Sequence, residues 1–180
     1  MTAPSSAPAT PPPPAAPYPS ISAGPATLDP VPVPNVPTRL VVPSIQADLN
    51  VVGEGVDETG QMALPEDPSV ASWYRYGADP GAPSGAVVVA AHVDSAEYGL
   101  GPLSALRELV PGDTIVVYAG SAQFAYVVTS VQQIDKDEID MTAIFSRDGA
   151  PRLHVLTCGG TFDEVTRNYS DNVLAIAQPK

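Results

Sequence analysis

The sequence predicts a mainly β protein whose strands form a closed or nearly closed β-barrel, accompanied by a few short helices. From residue 39 onward, short apolar segments alternate with turns rich in Gly, Pro and Asp. Helical spacing of apolar residues is confined to short stretches of this region. Many short strands divided by turn signals are typical of all-β proteins, and closure into a barrel removes exposed strand edges.

The first part of the chain has a different composition. Residues 1–37 hold 13 of the 22 prolines, including Pro11 to Pro14, and Asp29 is the only charged side chain there. Such a segment has few donors for a strand ladder and little apolar mass for a core, so we predict that it is extended and largely disordered. We therefore divide the chain into a Pro-rich linker, 1–38, and a folded domain, 39–180. A semi-rigid spacer and a tail without function both fit this composition.

The first half of the domain contains four predicted strands. Arg39 to Val42 is closed by Pro43, and the segment 47–52 is followed by glycines at 53 and 55. Residues 69–74 are predicted to form one helical turn that leads into a strand. The run Ala86 to Ala91 is apolar at every position, which is typical of a central strand buried on both faces.

The second half combines strands with two short helical segments. The segment 102–109 begins with Pro and carries leucines three residues apart, which predicts a short helix with one apolar stripe. Residues 114–118 and 123–128 form a predicted hairpin, and 131–134 continue its second strand. Residues 141–145 are predicted to be a short helix or a lid. The last two strands are predicted at 153–158 and 173–177.

Composition excludes several classes of function. The net charge of −12 argues against a nucleic-acid partner, because phosphates would be repelled, and gives no support for an anionic membrane surface. One cysteine can form neither an internal disulfide nor a thiolate zinc site, and the two histidines lie far apart in sequence, which disfavours a histidine-based metal site. The sequence contains no run of about 18 apolar residues, so no transmembrane helix is predicted. It also lacks a basic region followed by an apolar block, so no signal peptide is predicted.

Cys158, the only cysteine, is the first candidate for chemistry. It is predicted to close the apolar strand that begins at Leu153, and Gly159 and Gly160 follow it. Glycines let the backbone come close to a bound ligand, whereas a lone buried cysteine is most often a small hydrophobe. A nucleophilic thiol needs a neighbouring cation or histidine that favours the thiolate.

Two histidines compete as the partner of Cys158. His154 lies four residues before Cys158 on the same face of the predicted strand, about 13 Å away at roughly 3.3 Å per residue. Direct proton transfer needs roughly 3 Å between heavy atoms, so His154 is predicted to be a packed or surface residue. His92 ends a different strand and is therefore the candidate general acid and base.

Arg167 is the candidate cation. It follows Cys158 across a short loop, and it lies at the same end of the barrel if the strands at 153–158 and 173–177 pair. A guanidinium there can stabilise a thiolate or a developing oxyanion. Asp94, two residues after His92, is a weaker candidate for a group that orients the imidazole. The acidic stretch 135–140 lacks the EF-hand spacing of a Ca²⁺ site and is predicted to be a solvated loop.

The folded domain carries an ordered set of motifs: Ala91-His92-Val93-Asp94-Ser95, Gly101-Pro102, Leu109-Val110-Pro111-Gly112-Asp113, Leu156-Thr157-Cys158-Gly159-Gly160, Phe162-Asp163, Arg167, Tyr169 and Asp171-Asn172-Val173. Taken in this order, the motifs resemble those of a sortase. The Thr-Cys-Gly-Gly and Tyr-x-Asp-Asn-Val stretches are most similar to the class F sortases of Gram-positive actinobacteria. The similarity covers about residues 39–178, the whole domain without the linker.

The resemblance implies an eight-stranded sortase-type β-barrel and a cysteine transpeptidase without a cofactor. Such an enzyme cleaves an LPXTG-like sorting signal at the Thr–Gly bond, forms a thioacyl intermediate and transfers it to an amine. Cys158 matches the nucleophile, His92 the general acid and base, and Arg167 the group that stabilises the oxyanion and substrate. The Thr157 backbone matches a contributor to the oxyanion site. The usual Thr-Leu-x-Thr-Cys reads here as His154-Val155-Leu156-Thr157-Cys158, a departure within the strand body.

The resemblance also implies partners and a location. The partners are surface proteins that carry a sorting signal and an amine of a peptidoglycan precursor or a pilin, and the enzyme is expected to be a monomer. Sortases act on the outer face of the cell membrane, so the linker is expected to be a stalk whose anchor is missing from this sequence.

Two other classes of function remain open. A papain-like thiol hydrolase would require a helix after the cysteine, which Gly159-Gly160 disfavours. A non-catalytic β-barrel binding module would hold Cys158 in its core. Alkylation distinguishes the last class, because a core thiol resists the reagent.

Overall fold

The structure is a computed structural model that describes residues 34–180. Its strands are β1 (Arg39–Val42), β2 (Ala47–Glu54), β3 (Val70–Tyr74), β4 (Ala86–Ala90), β5 (Asp94–Ser95), β6 (Gly99–Leu100), β7 (Thr114–Ala119), β8 (Ala122–Asp135), β9 (Arg152–Asp163) and β10 (Asn168–Pro179). Two 3₁₀ segments span Pro43–Ile45 and Pro102–Glu108, and a single α-helical turn, α1, spans Met141–Ile144.

Within this part of the chain, eight strands close into a barrel in the order β1-β2-β3-β4-β9-β10-β8-β7. The β2–β3 and β4–β9 pairs are parallel, and the other neighbours are antiparallel. Strands β5 and β6 form a separate two-stranded sheet. The predicted mainly β fold, with an eight-stranded closed barrel and few helices, is confirmed.

The side-chain alternation of the strands divides the apolar residues into two layers. One buried cluster draws residues from all eight barrel strands, for example Leu153 and Val155 of β9. A second cluster lies on the other face of β4, β9 and β10 and includes Leu156 and Ile144 of α1. Because neighbouring residues of a strand point to opposite faces, Thr157 belongs to the interior layer and Cys158 to the outer one.

The predicted helix at 102–109 forms as a 3₁₀ segment. Leu103 and Leu106 are fully buried, and Leu109 is nearly so. Leucines three residues apart lie on one line in a helix with three residues per turn, whereas an α-helix would rotate them apart. The 3₁₀ geometry therefore directs Leu103 and Leu106 into the core, and Leu109, the extended residue that ends the segment, joins them there.

Two predicted elements differ in the structure. The helical turn predicted within 69–74 does not form, because β3 already begins at Val70. Directly before it, Asp67 accepts hydrogen bonds from the amides of Ser69 and Val70 and makes a turn. The predicted strand 153–158 is too short: β9 continues five residues beyond Cys158 and pairs there with β10. The prediction that Cys158 closes its strand was therefore wrong.

The hairpins agree with the sequence more closely. Strands β7 and β8 pair from Ala119 and Ala122 onward across a two-residue turn, and β8 is one continuous strand through residues 123–134. Strands β9 and β10 also pair. This pairing was the condition for Arg167 to lie at the same end of the barrel as Cys158. The acidic stretch forms turns in which Asp140 accepts a hydrogen bond from the amide of Ala143 and caps α1.

The predicted linker, 1–38, falls mainly outside the described residues, which begin at 34. Asn35 donates hydrogen bonds to Asp79 and to the carbonyl of Pro80, and Thr38 bonds the backbone of Tyr118. No helix within residues 34–180 has the length and apolar character needed to cross a bilayer.

Candidate active site

The parallel pairing of β4 with β9 brings His92 beside Cys158. Ala90 pairs with Leu156, and the ladder extends one step further through the Ala91 amide, which donates to the Leu156 carbonyl at 3.2 Å. His92 and Cys158 each lie two positions beyond the last pair, on adjacent chain segments. Neighbouring strands lie about 4.8 Å apart, so residues distant in sequence become neighbours at this end of the barrel.

The side chain of Thr157 strengthens this junction. Its hydroxyl donates a 2.9 Å hydrogen bond to the Ala91 carbonyl inside the barrel, and Thr157 is only 4% exposed. The bond leaves the Thr157 hydroxyl committed to the strand junction. Only the backbone of Thr157 is available for the predicted oxyanion role.

The glycine pair after Cys158 serves the packing of the hairpin. A Cβ on Gly159 would lie 2.7 Å from the Val173 side chain, and one on Gly160 would meet the side chains of Ser170 and Asp171. Gly160 has φ +77°, and the ladder shifts register between Tyr169 and Asp171, which marks a β-bulge. Packing against β10 therefore requires these glycines, and the close approach of a ligand to their backbone stays a prediction. A bulge bends and twists a strand, so this one re-aims the hairpin tip that follows it.

That tip carries Arg167. The amides of Val165 and Thr166 donate to the Asp163 carboxylate, which folds the turn. Arg167 closes the turn with φ +52°, a left-handed conformation that is uncommon for a residue with a Cβ. A non-glycine residue held in this region costs on the order of 1–3 kcal/mol and is often found at functional sites.

One cavity of about 1220 Å³ collects all three predicted residues. Cys158 and His92 are half-buried, and Arg167 is exposed. The same wall carries acidic and basic groups, and the lining also includes Asp94, Ser95, Lys136, Phe162, Glu164, Asn168, Tyr169 and Asn172. The cavity is therefore rich in charged and polar residues and open to solvent, with the thiol, imidazole and guanidinium facing one space.

A second, smaller cavity of about 340 Å³ meets the first at Cys158. It lies over the outer apolar layer, and its lining includes Val56, Met62, Leu64, Tyr74, Phe145 and Leu156. Five residues line both cavities: Gln61, Leu64, Met141, Cys158 and Asn172. We call the smaller cavity the apolar channel and the larger cavity the polar basin. Cys158 lies where the two meet.

Asp94 has a partner other than the one considered from the sequence. The Tyr169 hydroxyl donates a 2.5 Å hydrogen bond to the Asp94 carboxylate. This bond, with desolvation and the charges of Asp94 and Cys158, raises the pKa of Tyr169 to about 12. Tyr169 therefore remains protonated, and a donor, throughout the physiological range.

Comparison with known proteins identifies the family. A family model described as "Sortase domain" matches residues 40–180. The chain belongs to the sortase family. A search of curated proteins found no match.

Solved sortase structures share the fold of this sortase. Sortase C1 of group B Streptococcus (GBS) Pilus Island 1 aligns with a TM-score of 0.59 at 17% identity, over 79% of this chain and 64% of that one. Sortase C-1 of Actinomyces oris gives 0.58 at 20%, over 79% and 72%. Sortase A of Listeria monocytogenes gives 0.57 at 20%, over 81% and 86%. This chain therefore spans less than two thirds of the first of these proteins.

His154 of the sortase domain is a packed residue, as predicted. It is 4% exposed, and its Nδ1 lies 2.9 Å from the Ile144 carbonyl of α1. Burial lowers the pKa of His154, and the positive charge of Arg152 lowers it further, whereas the hydrogen bond with the Ile144 carbonyl raises it. A neutral imidazole that joins β9 to α1 supports the wall of the apolar channel.

The sequence missed several residues that line the sortase cavities. Asn172 pairs directly with Cys158 across β9 and β10, and its place in the Asp171-Asn172-Val173 motif was the available signal. Gln61 and Met141 also line both cavities, but they come from separate segments without a motif. Among residues 34–180, no group of three or more His, Cys, Asp or Glu side chains is arranged to hold a metal ion.

Proposed function

We propose that this sortase is a cysteine transpeptidase that cleaves an LPXTG-like sorting signal at its Thr–Gly bond and transfers the new acyl end to an amine. The observation that carries the proposal is the shared cavity of Cys158, His92 and Arg167. A thiol nucleophile, an acid–base group and a fixed cation are the three parts that acyl transfer through a thioester needs.

In the first half-reaction, the Cys158 thiolate attacks the Thr carbonyl carbon and a C–S bond forms. Arg167 and a backbone amide near Thr157 stabilise the resulting oxyanion. Protonated His92 gives its proton to the Gly nitrogen as the C–N bond breaks. The products are a thioacyl enzyme and a released peptide that begins with Gly.

In the second half-reaction, an amine attacks the thioester carbonyl and loses a proton to His92. A new C–N bond forms, the C–S bond breaks, and the Cys158 thiolate returns. His92 acts first as an acid and then as a base, so each cycle begins again without an external proton donor. Water in place of the amine would give hydrolysis as a side reaction.

The two cavities support a division of labour between the reactants. The apolar channel suits the Leu and Pro side chains of a sorting signal, and it leads directly to Cys158. The larger polar basin, with Asp94 and Glu164 in its wall, leaves room for an amine to approach the thioester from the other side.

We assign the chain to class F on its motifs. The support is Thr157-Cys158-Gly159-Gly160 and the stretch Tyr169 to Val173, both of which the structure places around the same hairpin. The structural neighbours are sortases C and A. Because they are only 17% and 20% identical to this chain, they support the fold and not the class.

The partners and location follow from the same proposal. The substrates are surface proteins with a sorting signal, and the acceptor is an amine of a peptidoglycan precursor or a pilin. One structural neighbour is described as a "Pilus-related Sortase C", which motivates testing the pilin amine. The enzyme acts as a monomer on the outer face of the cell membrane, with the Pro-rich segment as its stalk.

Mass spectrometry tests this function directly. The protein is incubated with an LPXTG peptide and a glycine-type amine, beside the Cys158→Ala variant. A thioacyl adduct on Cys158 with ligated product, both missing in the variant, is the expected result. Cleavage without ligation would identify a thiol hydrolase. No adduct, together with a Cys158 that resists alkylation, would favour the non-catalytic binding module.

A further inference from the structure

The segment that carries His92 is attached to the rest of the domain by few polar contacts. Strands β5 and β6 pair only with each other and lie outside the barrel sheet. The Gly101 amide donates to Val93 and closes this segment on itself. We call residues 92–101 the histidine loop.

Across the cavity, the β9–β10 hairpin carries Arg167 two positions before Tyr169. Tyr169 pairs with Phe162 on the opposite strand, and their rings lie 5.0 Å apart between centroids. This cross-strand contact holds the Tyr169 ring on the hairpin. Lys136 donates a hydrogen bond to Asn168 and fixes the residue between Arg167 and Tyr169.

Among residues 34–180, the hydrogen bond from Tyr169 to Asp94 is the one that joins the histidine loop to this hairpin. It spans 75 positions of sequence and is partly buried. A hydrogen bond to an ionised carboxylate is stronger than one between neutral groups. Each end of the bond lies two residues from a proposed catalytic group, His92 on one side and Arg167 on the other.

We propose that Tyr169 and Asp94 form a clasp that positions His92 and Arg167 on either side of Cys158. The inference rests on the proposed acyl transfer, which needs both groups at fixed distances from the thiol. Tyr169 and Asp94 are positioning residues, since neither is assigned a contact with the reacting atoms. A single hydrogen bond joins the two side chains, so removing either the donor or the acceptor removes the clasp.

The clasp is distinguishable from a triad in which Asp94 orients His92. In a triad, Tyr169→Phe leaves Asp94 in place and free to bind the imidazole, so only Asp94→Ala would be harmful. In a clasp, the two substitutions have the same effect, and combining them adds little. A double-mutant cycle separates these cases.

The experiment compares Tyr169→Phe, Asp94→Ala, which leaves no acceptor for the Tyr169 hydroxyl, and the double variant with the unaltered chain. Tyr98→Phe is the matched control, because Tyr98 lies in the histidine loop and is 52% exposed. We measure kcat and KM for ligation of an LPXTG peptide, and the pH profile of Cys158 alkylation by iodoacetamide. Thermal unfolding shows whether each variant folds; Phe keeps the ring contact with Phe162.

Each single variant is expected to lower kcat about tenfold to a hundredfold with KM nearly unchanged, the size expected for one charged hydrogen bond. The double variant should match the more damaged single variant, and all three should shift the alkylation profile alike. Additive losses, or a Tyr169→Phe variant with unchanged kcat beside a harmful Asp94→Ala, would overturn the clasp. If the unaltered chain ligates no peptide, the proposed transpeptidation fails, while the alkylation profiles still decide whether the two residues act as a unit on the thiol.

Discussion

The Thr157 hydroxyl donates a 2.9 Å hydrogen bond to the carbonyl of Ala91. This contact joins the residue before Cys158 to the residue before His92, although the two lie 66 positions apart in sequence. Because the bond is buried, it has no competition from water. Thr157 therefore stabilises the spacing of the proposed nucleophile and its acid–base partner from inside the barrel.

Replacing Thr157 with Val should weaken both the fold and the site. Val keeps the approximate shape but leaves the buried Ala91 carbonyl without this donor, which costs about 1–3 kcal/mol. Urea unfolding measures the loss, and ligation assays measure activity. Thr157→Ser retains a hydroxyl and should recover most of both. If Thr157→Val were as stable and as active as Thr157→Ser, the hydrogen bond would have no role.

Gly101 should be sensitive to a single methyl group. A Cβ at this position would lie 2.6 Å from the Pro68 Cβ, which forces a local shift, and 3.0 Å from the His92 carbonyl oxygen, so the strain falls on the backbone that carries His92. A displacement of about 1 Å at a catalytic group can cost on the order of a hundredfold in rate, and we expect Gly101→Ala to lower kcat by about tenfold or more. Gly53→Ala is the control, because its nearest contact would be an ordinary 3.5 Å. Equal kinetics in the two variants would contradict this prediction.

Arg167 should show opposite effects on activity and stability. Arg167→Gly removes the guanidinium and relieves the φ of +52°, so we expect kcat to fall about 10²–10³-fold while the free energy of unfolding rises by up to about 1 kcal/mol. Arg167→Lys keeps the charge and the backbone strain but loses the planar fork. It should lose activity without gaining stability, as kinetics and urea unfolding will show. Near-native turnover in Arg167→Gly would remove Arg167 from the mechanism.

His92→Ala should lower turnover as severely as the loss of Arg167 while leaving the fold intact. His92 is half-buried in the cavity wall, outside the two apolar clusters of the domain. Steady-state ligation rates and thermal unfolding test the two halves of this prediction. Retention of activity would exclude His92 as the general acid and base.

His154 should make the stability of the domain depend on pH. Burial lowers the pKa of His154 in the folded state, whereas the pKa of a histidine in an unfolded chain is about 6.5. Between those values the unfolded chain binds more protons, so the His154 contribution is fully present above about pH 6.5 and declines as the pH falls. Urea unfolding at pH 7 and pH 5 should show a larger loss for the unaltered chain than for His154→Gln. Equal losses would show that burial of His154 does not govern this window.

Local patterns in the sequence determined the parts of the protein that depend on near neighbours. Short apolar runs and turn residues predicted most barrel strands and the β7–β8 turn, because strand alternation and turn chemistry act over a few positions. They failed where a distant partner decided the outcome: β9 extends past Cys158 because β10 pairs with it there, and Ser69 lies in a turn because Asp67 accepts its amide.

The same division applies to the candidate site. Residue type and motif order singled out Cys158, His92 and Arg167, since thiol, imidazole and guanidinium chemistry belongs to each side chain by itself. Only the tertiary structure decided that β4 and β9 run parallel beside each other, that Asp94 meets Tyr169, and that Gly159 and Gly160 accommodate β10. Barrel closure brings together residues far apart in the chain, and no local periodicity encodes which distant strands become neighbours.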